Sequence, residues 1–400
     1  MTTTEDLAAR FSTFQPSLQG DPEAPLLAWE QLRAAGPMHH SEEFGGYWIA
    51  TRHQDIEEIA RQPEIFVNQK NLVPWRDTFG DGERAIPLEL DGPIHTEWRR
   101  AMARSFAPDT IGHFSPVIEA AAAQLIGAVA DEGACDFVSA VAVALPGEAF
   151  LAHFGVPREH LQQMLDFKNW LVREGLPNAG TPEAVKEANR DIMAFWDSAV
   201  EQREAEGGEG RDVISGLLRA RIDGQPLSRK DIVNACYVSM LASLDTTTSA
   251  LSLAWARLAV RPDLQAAAAD AALRPRLIEE LIRHEPVLTT ARLVAQETTV
   301  GGVTLQPGEM VLMSWGMAGL DPDVYERPDE IDLNRTLTRP MAFGVGPHRC
   351  LGMHMARRII AVAMAEWHQR IPRYRIAEGT SPVAHYSPVR GLLSLPLSFD

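Results

Sequence analysis

From Leu227 to Val260 the chain runs without proline or glycine, between Pro226 on one side and Arg261-Pro262 on the other. Proline and glycine are the strongest punctuation in a sequence, so the stretch reads as one helix. About 30 residues at 1.5 Å each make a rod of roughly 45 Å, enough to cross a whole molecule. Ser228 with Asp231 three residues on resembles a capping box at its start. Whatever else the chain forms has to pack around this rod.

The pattern elsewhere is mostly helical. Residues 25–36, much of 94–224 (Val117–Ala130 above all), Pro275–His284 and Leu351–Ile371 carry apolar residues at helical spacing. Short strands are expected at Gly46–Thr51, at Thr298–Leu305 and Glu309–Met313 around the turn Gln306–Gly308, and over Gly391–Phe399. Asn68–Asp91 has little periodicity and reads as a long loop, of a length usually tied to function. Gly207, Gly208 and Gly210 mark a solvated loop, and proline-punctuated loops run to Pro340. Prolines and glycines are scattered, with no repeat and no linker, so residues 1–400 are expected to form one continuous domain, mainly α with a minor β region.

Fifty-four acidic residues against 37 basic give a formal charge of −17. That field argues against nucleic acid as a main partner and against adsorption to an anionic membrane. The three cysteines, Cys135, Cys236 and Cys350, are far apart with no C-x-x-C, which argues against structural zinc and fits a reducing compartment. Met1 to Arg10 is polar, so neither signal peptide nor membrane anchor is expected, and the expected location is cytoplasmic.

Phe343-Gly-Val-Gly-Pro-His-Arg-Cys350-Leu-Gly352 is a glycine-containing loop that sets a cysteine just before a helix. Backbone N–H groups at a helix start favour a thiolate, and His348 and Arg349 add positive charge. Cys350 is thus poised as a nucleophile or a metal ligand. In Ala242-Ser-Leu-Asp245-Thr246 the long helix carries polar and β-branched residues between apolar flanks, against local propensity, as functional sites often do. Glu280 and Arg283, three apart on a helix, can form an ion pair.

The ten residues from Phe343 to Gly352 fill every fixed position of the haem loop of the cytochrome P450 superfamily, and the chain is similar to its bacterial branch over nearly its whole length. The resemblance implies the helix-rich P450 fold and a b-type haem ligated by the Cys350 thiolate, whose electron donation favours O–O cleavage. It implies that Thr246 hydrogen-bonds the dioxygen to be activated and that Asp245 relays protons, with Ser243 standing where glycine is usual. Glu280, Arg283 and Arg335 would form a buried scaffold. His95, Arg99, Arg292 and His348 would meet the haem propionates. Val238, Leu241, Leu244 and Leu288 would line the substrate pocket.

The implied activity is a monooxygenase acting on a small hydrophobic terpenoid. O2 and electrons from NAD(P)H would be used, delivered by a reductase and a 2Fe-2S ferredoxin. Ser314–Asp321, Trp367–Pro372 and the Leu244-Asp245-Thr246 tripeptide resemble the camphor-hydroxylase branch. That branch holds camphor with a tyrosine before Pro87; here no tyrosine lies between Lys70 and Leu90, and Glu83 falls near the place, so camphor is not the expected substrate. A peroxide-driven haem–thiolate enzyme and a non-catalytic haem sensor are the alternatives. Both would be expected to lack the intact Asp245–Thr246 pair. Arg99, Arg100, Arg104, Arg349, Arg357 and Arg358 are expected on the cysteine side, as a cationic patch for an acidic ferredoxin.

Overall fold

The long run forms a single helix, Arg229–Ala259, and the cap is reciprocal: Ser228 Oγ accepts from Asp231 N at 3.1 Å and donates to Asp231 Oδ2 at 2.7 Å. A computed structural model describes residues 23–174, 180–336, 341–386 and 388–399. Met1–Arg10 and the end of the loop running to Pro340 lie outside the described residues.

Along the chain the helices are α1 (Ala24–Ala35), α2 (His53–Arg61), α3 (Gly92–Ala103), α4 (Pro108–Gly127), α5 (Ala144–Phe154), α6 (Leu161–Asn169) and α7 (Pro182–Ala205). There follow α8 (Val213–Arg219), the long α9 (Arg229–Ala259), α10 (Pro262–Ala269), α11 (Arg274–His284), α12 (Trp315–Gly319) and α13 (Met353–Arg370). A five-stranded sheet has the order Met38–Ser41, Tyr47–Ala50, Met310–Ser314, Thr289–Val294, Phe66–Val67. The balance is helical with a smaller β part, as the sequence implies.

Burial explains the length of α9. Its first half, through Leu244, packs with α5 and α7 and with Phe79 and Ala85 of the 68–91 segment. Its second half, from Leu251, packs with α4, α10, α11 and α13 around Trp255 and Trp367. A helix buried on nearly all sides needs no polar stripe. The polar run Asp245–Ser249 falls at the seam between the two clusters. A third cluster joins α1 to the sheet.

Several boundaries differ from expectation. Thr298–Leu305 is not one strand but a hairpin, Thr298–Val300 with Val303–Leu305, because Gly301 (φ 56°) and Gly302 (φ 81°) adopt the left-handed conformation of a tight turn. Pro262 ends α9 but also starts α10, a position where its missing N–H costs nothing. Helix α4 begins at Pro108 and runs through Pro116, since burial of Ile111, Phe114 and Ile118 overrides the interior proline. The Gly207–Gly210 loop is tied down by Arg219, which donates to Gly208 O and, at 2.8 Å, to Gly210 O. Helix α13 starts at Met353, so the turn Leu351-Gly352 separates Cys350 from it.

Candidate active site

The cysteine loop is shaped by its own backbone. Cys350 N donates to Phe343 O at 2.9 Å and Gly344 N to Met341 O at 2.8 Å. Gly344 (φ 71°) and Gly346 (φ 73°) are left-handed, and a Cβ on Gly346 would sit 2.4 Å from Ala60 O at the end of α2. Only glycine fits there. Cys350 keeps accessible surface although protein crowds round it. Burial pushes its thiol up; the Gly352 N–H and the charges of Arg99, Arg357 and Arg349 pull the other way. The other cysteines are placed differently. Cys236 is buried in the α7–α9 cluster, where desolvation pushes its thiol up. Cys135 lies on the strand Ala134–Asp136, its thiol pushed up to about 11 by burial.

Next to this loop the structure gathers two histidines and two arginines. The rings of His95 on α3 and His348 stack with centroids 3.9 Å apart. Burial, then the charges of His348 and Arg99, push His95 down to about 4. Arg99 donates to Arg349 O. Arg292 is buried on a strand of the sheet, and its guanidinium donates to Ala291 O at 2.7 Å. Desolvation pushes its guanidinium down to about 10. His348 Nε2 lies 3.5 Å from Asp91 Oδ1 and has no hydrogen-bond partner among the described residues. The same holds for Thr290 Oγ1, which shares a strand face with Arg292 at i, i+2. Sequence reasoning missed Thr290; its signal was that period-2 relation to a buried arginine.

On α9, Asp245 is fully buried, while Ala242 is exposed in the middle of a buried helix and Thr246 and Leu241 keep partial exposure. Thr246 Oγ1 folds back on Ala242 O at 2.8 Å, with Ser243 O a weaker acceptor at 3.5 Å. Ala242 and Thr246, four apart, therefore share one face that keeps accessible surface. Leu351, adjacent to Cys350, packs on the cluster that contains Val238 and Leu244, which brings the cysteine loop and the middle of α9 together.

The pocket residues divide. Leu241 and Leu288 keep accessible surface; Leu244 is buried, pointing into the core away from Ala242. Val238 lies one turn before Ala242 and is buried with Phe79 and Ala85. Glu83 does not point inward: it pairs with Lys230 at the start of α9.

The scaffold is explicit. Glu280 accepts from Arg283 at 2.8 and 3.0 Å, from Arg335 Nε at 3.1 Å and from Asp332 N at 2.9 Å. Burial works to raise Glu280, but these bonds hold it below the usual carboxylate range. Arg283 also donates to Gly319 O, Pro328 O and Glu330 O, fixing the chain before the cysteine loop. A second buried network was not foreseen: Glu285 accepts from Arg257 of α9 and from Arg390 on the strand Arg390–Ser394, which pairs antiparallel with Val383–Tyr386 as the C-terminal hairpin. Of the patch arginines, Arg100, Arg357 and Arg358 are ion-paired to Glu97, Glu279 and Glu119, while Arg104 and Arg349 stay exposed.

Residues 156–271 and 272–371 match the family description Cytochrome P450. The chain is a cytochrome P450. Its relatives include the cyclomarin C epoxidase CymV of Salinispora arenicola, 30% identical over 96% of this chain and 98% of that protein. Cytochrome P450-terp of a Pseudomonas species is 30% identical over 92% of this chain and 91% of its own. The crystal structure of CYP101J2 superposes with a TM-score of 0.87 at 27% identity, covering 98% of each chain. As a P450 the protein is a haem-dependent monooxygenase whose iron takes an axial cysteine thiolate. The residues present fit that group. His95, His348 and the buried Arg292 have Asp91 as their nearby carboxylate, while the half-buried Arg99 and the Thr290 hydroxyl have no carboxylate partner among the described residues, and a dianionic ligand with two carboxylates would supply what they lack. No helix among the described residues is long and apolar enough to cross a membrane.

Proposed function

We propose that this P450 hydroxylates a small hydrophobic terpenoid, with Cys350 as the thiolate ligand and electrons drawn from NAD(P)H through a reductase and a 2Fe-2S ferredoxin. The observation that carries it is an accessible cysteine in a glycine-shaped loop together with an open Ala242–Thr246 face on a helix otherwise largely buried. Bound haem supplies the activation of O2 for insertion into a C–H bond. The chain's own residues do the rest. The Gly352 N–H holds the Cys350 sulfur as an acceptor. Arg99, Arg292, His95, His348 and Thr290 bind carboxylates. Thr246 Oγ–H can leave Ala242 O to donate into the chamber, and Asp245 moves protons toward it.

Leu241, Leu288 and the 68–91 segment offer apolar walls, which suits a ligand held by shape. The name of the relative P450-terp points the same way. Absence of a tyrosine from Lys70 to Leu90 speaks for terpenoids without a ketone to hold: cyclic ethers, alcohols or norisoprenoids rather than camphor. The experiment is a screen of such ligands by Soret shift, followed by product formation with a surrogate ferredoxin system. The reduced protein with CO should show the red-shifted band of a thiolate complex. The same band in Cys350→His, or camphor outranking every other terpenoid, would overturn the respective assignment.

A further inference from the structure

The Asn68–Asp91 segment has almost no regular structure, yet its backbone is tied down both by its own side chains, such as Asp77 and Glu89, and by two helices. Its ends are closed by Asp91, whose carboxylate accepts from Asn68 N at 2.9 and 3.0 Å. Its middle is gripped at two buried points. Asn234 on α9 accepts from Ile86 N at 2.9 Å through Oδ1 and donates to Arg84 O at 3.1 Å through Nδ2. Asn189 on α7 donates to Thr78 O at 2.7 Å, and its Oδ1 accepts from the buried Tyr237 hydroxyl at 2.7 Å. Phe79 packs on Tyr237 with ring centroids 5.2 Å apart, and a Cβ on Gly80 would sit 2.3 Å from Pro182 O at the start of α7.

The chemistry of Asn234 is specific. A backbone N–H can only donate and a carbonyl can only accept, and one amide side chain serves both at once. Aspartate could keep the bond from Ile86 N but would set a charge against Arg84 O. An apolar residue would leave both groups buried and unpaired. On the helix, Asn234, Val238, Leu241 and Asp245 follow at four-, three- and four-residue steps, so they share a face, with Ala242, one turn after Val238, at its edge. The segment that Asn234 holds therefore lies over a helix face whose edge, farther along, carries the exposed Ala242, with Thr246 one turn beyond.

We propose that Asn234 is a positioning and specificity-determining residue. It seats Arg84–Ile86 as the roof of the substrate chamber, with the Tyr237–Asn189 pair as a second anchor, and so governs ligand release and which carbon is presented for oxidation. This rests on reading the space between α9 and Cys350 as the substrate site. The exposed pairs Lys230–Glu83 and Lys186–Asp81 lie along the same segment but are open to solvent and contribute little.

The test compares the wild-type holoenzyme with Asn234→Leu, Asn234→Asp and Tyr237→Phe. The probe is 4-phenylimidazole, which ligates the haem iron whatever the natural substrate, and its release is followed at the Soret band. Asn234→Leu should speed release by roughly tenfold, Tyr237→Phe by about threefold, and Asn234→Asp should fall between Asn234→Leu and wild type. High salt on the wild type should not mimic Asn234→Leu, because the clamp is buried. With a turned-over terpenoid, Asn234→Leu should also spread product over more positions and lower product per NADH, with an unchanged reduced-CO spectrum. A merely structural role would shift thermal unfolding and leave release rates and product ratios alone; that result, with the CO spectrum intact, overturns the proposal. Failure of every terpenoid to shift the wild-type Soret band would overturn the substrate reading instead, and the phenylimidazole comparison would still decide the role of Asn234.

Discussion

Replacing Arg292 by methionine isolates the electrostatic fit of the site. Arg292 is buried on the sheet, with Ala291 O as its hydrogen-bond acceptor, and desolvation pushes its guanidinium from 12.5 down to about 10. At about 1.4 kcal/mol per unit, keeping that charge in the protein alone costs about 3 kcal/mol. A carboxylate brought against it offsets that cost, so the penalty in the empty protein becomes affinity in the loaded one. Arg292→Met should therefore act with opposite signs on the two forms. The apoprotein should unfold at higher urea, by up to about 3 kcal/mol after allowance for the altered packing. Transfer of haem to excess apomyoglobin should speed up by as much as a hundredfold, which is about 3 kcal/mol. Arg292→Lys, which keeps charge but loses the planar fork, should be intermediate. A less stable apoprotein together with an unchanged transfer rate would refute the reasoning, because the arginine would then be structural and not an anion site.

Thr246→Ala should divert NADH to hydrogen peroxide, whereas Asp245→Asn should slow turnover; equal product per NADH in wild type and Thr246→Ala would remove Thr246 from its role. Glu280→Gln leaves Arg283 and Arg335 buried around a neutral group and should destabilise the fold by about 3–5 kcal/mol in urea unfolding, and Glu280→Gln/Arg283→Met should recover part of that loss. Burial pushes His153 from 6.5 down to about 4, so the unfolded chain takes up a proton that the native state refuses. That contribution to stability is complete above pH 6.5 and should be lost by about pH 4, roughly 3 kcal/mol in all; denaturation curves of His153→Gln that keep the wild-type slope over this window would contradict it. Arg104→Glu, on the exposed part of the arginine patch, should slow the first electron transfer from an acidic ferredoxin and flatten its salt dependence, with ligand binding intact; unchanged rates at low ionic strength would remove the patch.

The elements that sequence revealed best are those fixed by local chemistry. The α9 cap follows from Ser228 and Asp231 alone, and the cysteine loop from its glycines. The Glu280–Arg283 pair follows from helical spacing, with Arg335 supplied by resemblance. What stayed hidden depends on partners distant in sequence. Glu285 meets Arg257 and Arg390 only after the C-terminal hairpin docks on α9. The inward face of Leu244 depends on which side of α9 the core occupies. Three patch arginines were legible as charges, but not as charges already answered by Glu97, Glu119 and Glu279. The Gly301-Gly302 turn was present in the sequence and was masked by the β-branched residues on either side.

The unbroken course of α9 ties together places that many proteins keep apart. Asn234 under the 68–91 segment, Thr246 on the partly open face and Arg257 in the Glu285 network ride on one rod without a hinge. Remodelling the proposed roof to admit a bulkier molecule thus loads the segment to which we assign the handling of oxygen, and variants selected for breadth should waste reducing power. Improvement would then come in pairs, a change along 68–91 matched by one on the far side of the rod. A directed-evolution lineage of this enzyme should show that coupled pattern in the order its substitutions accumulate.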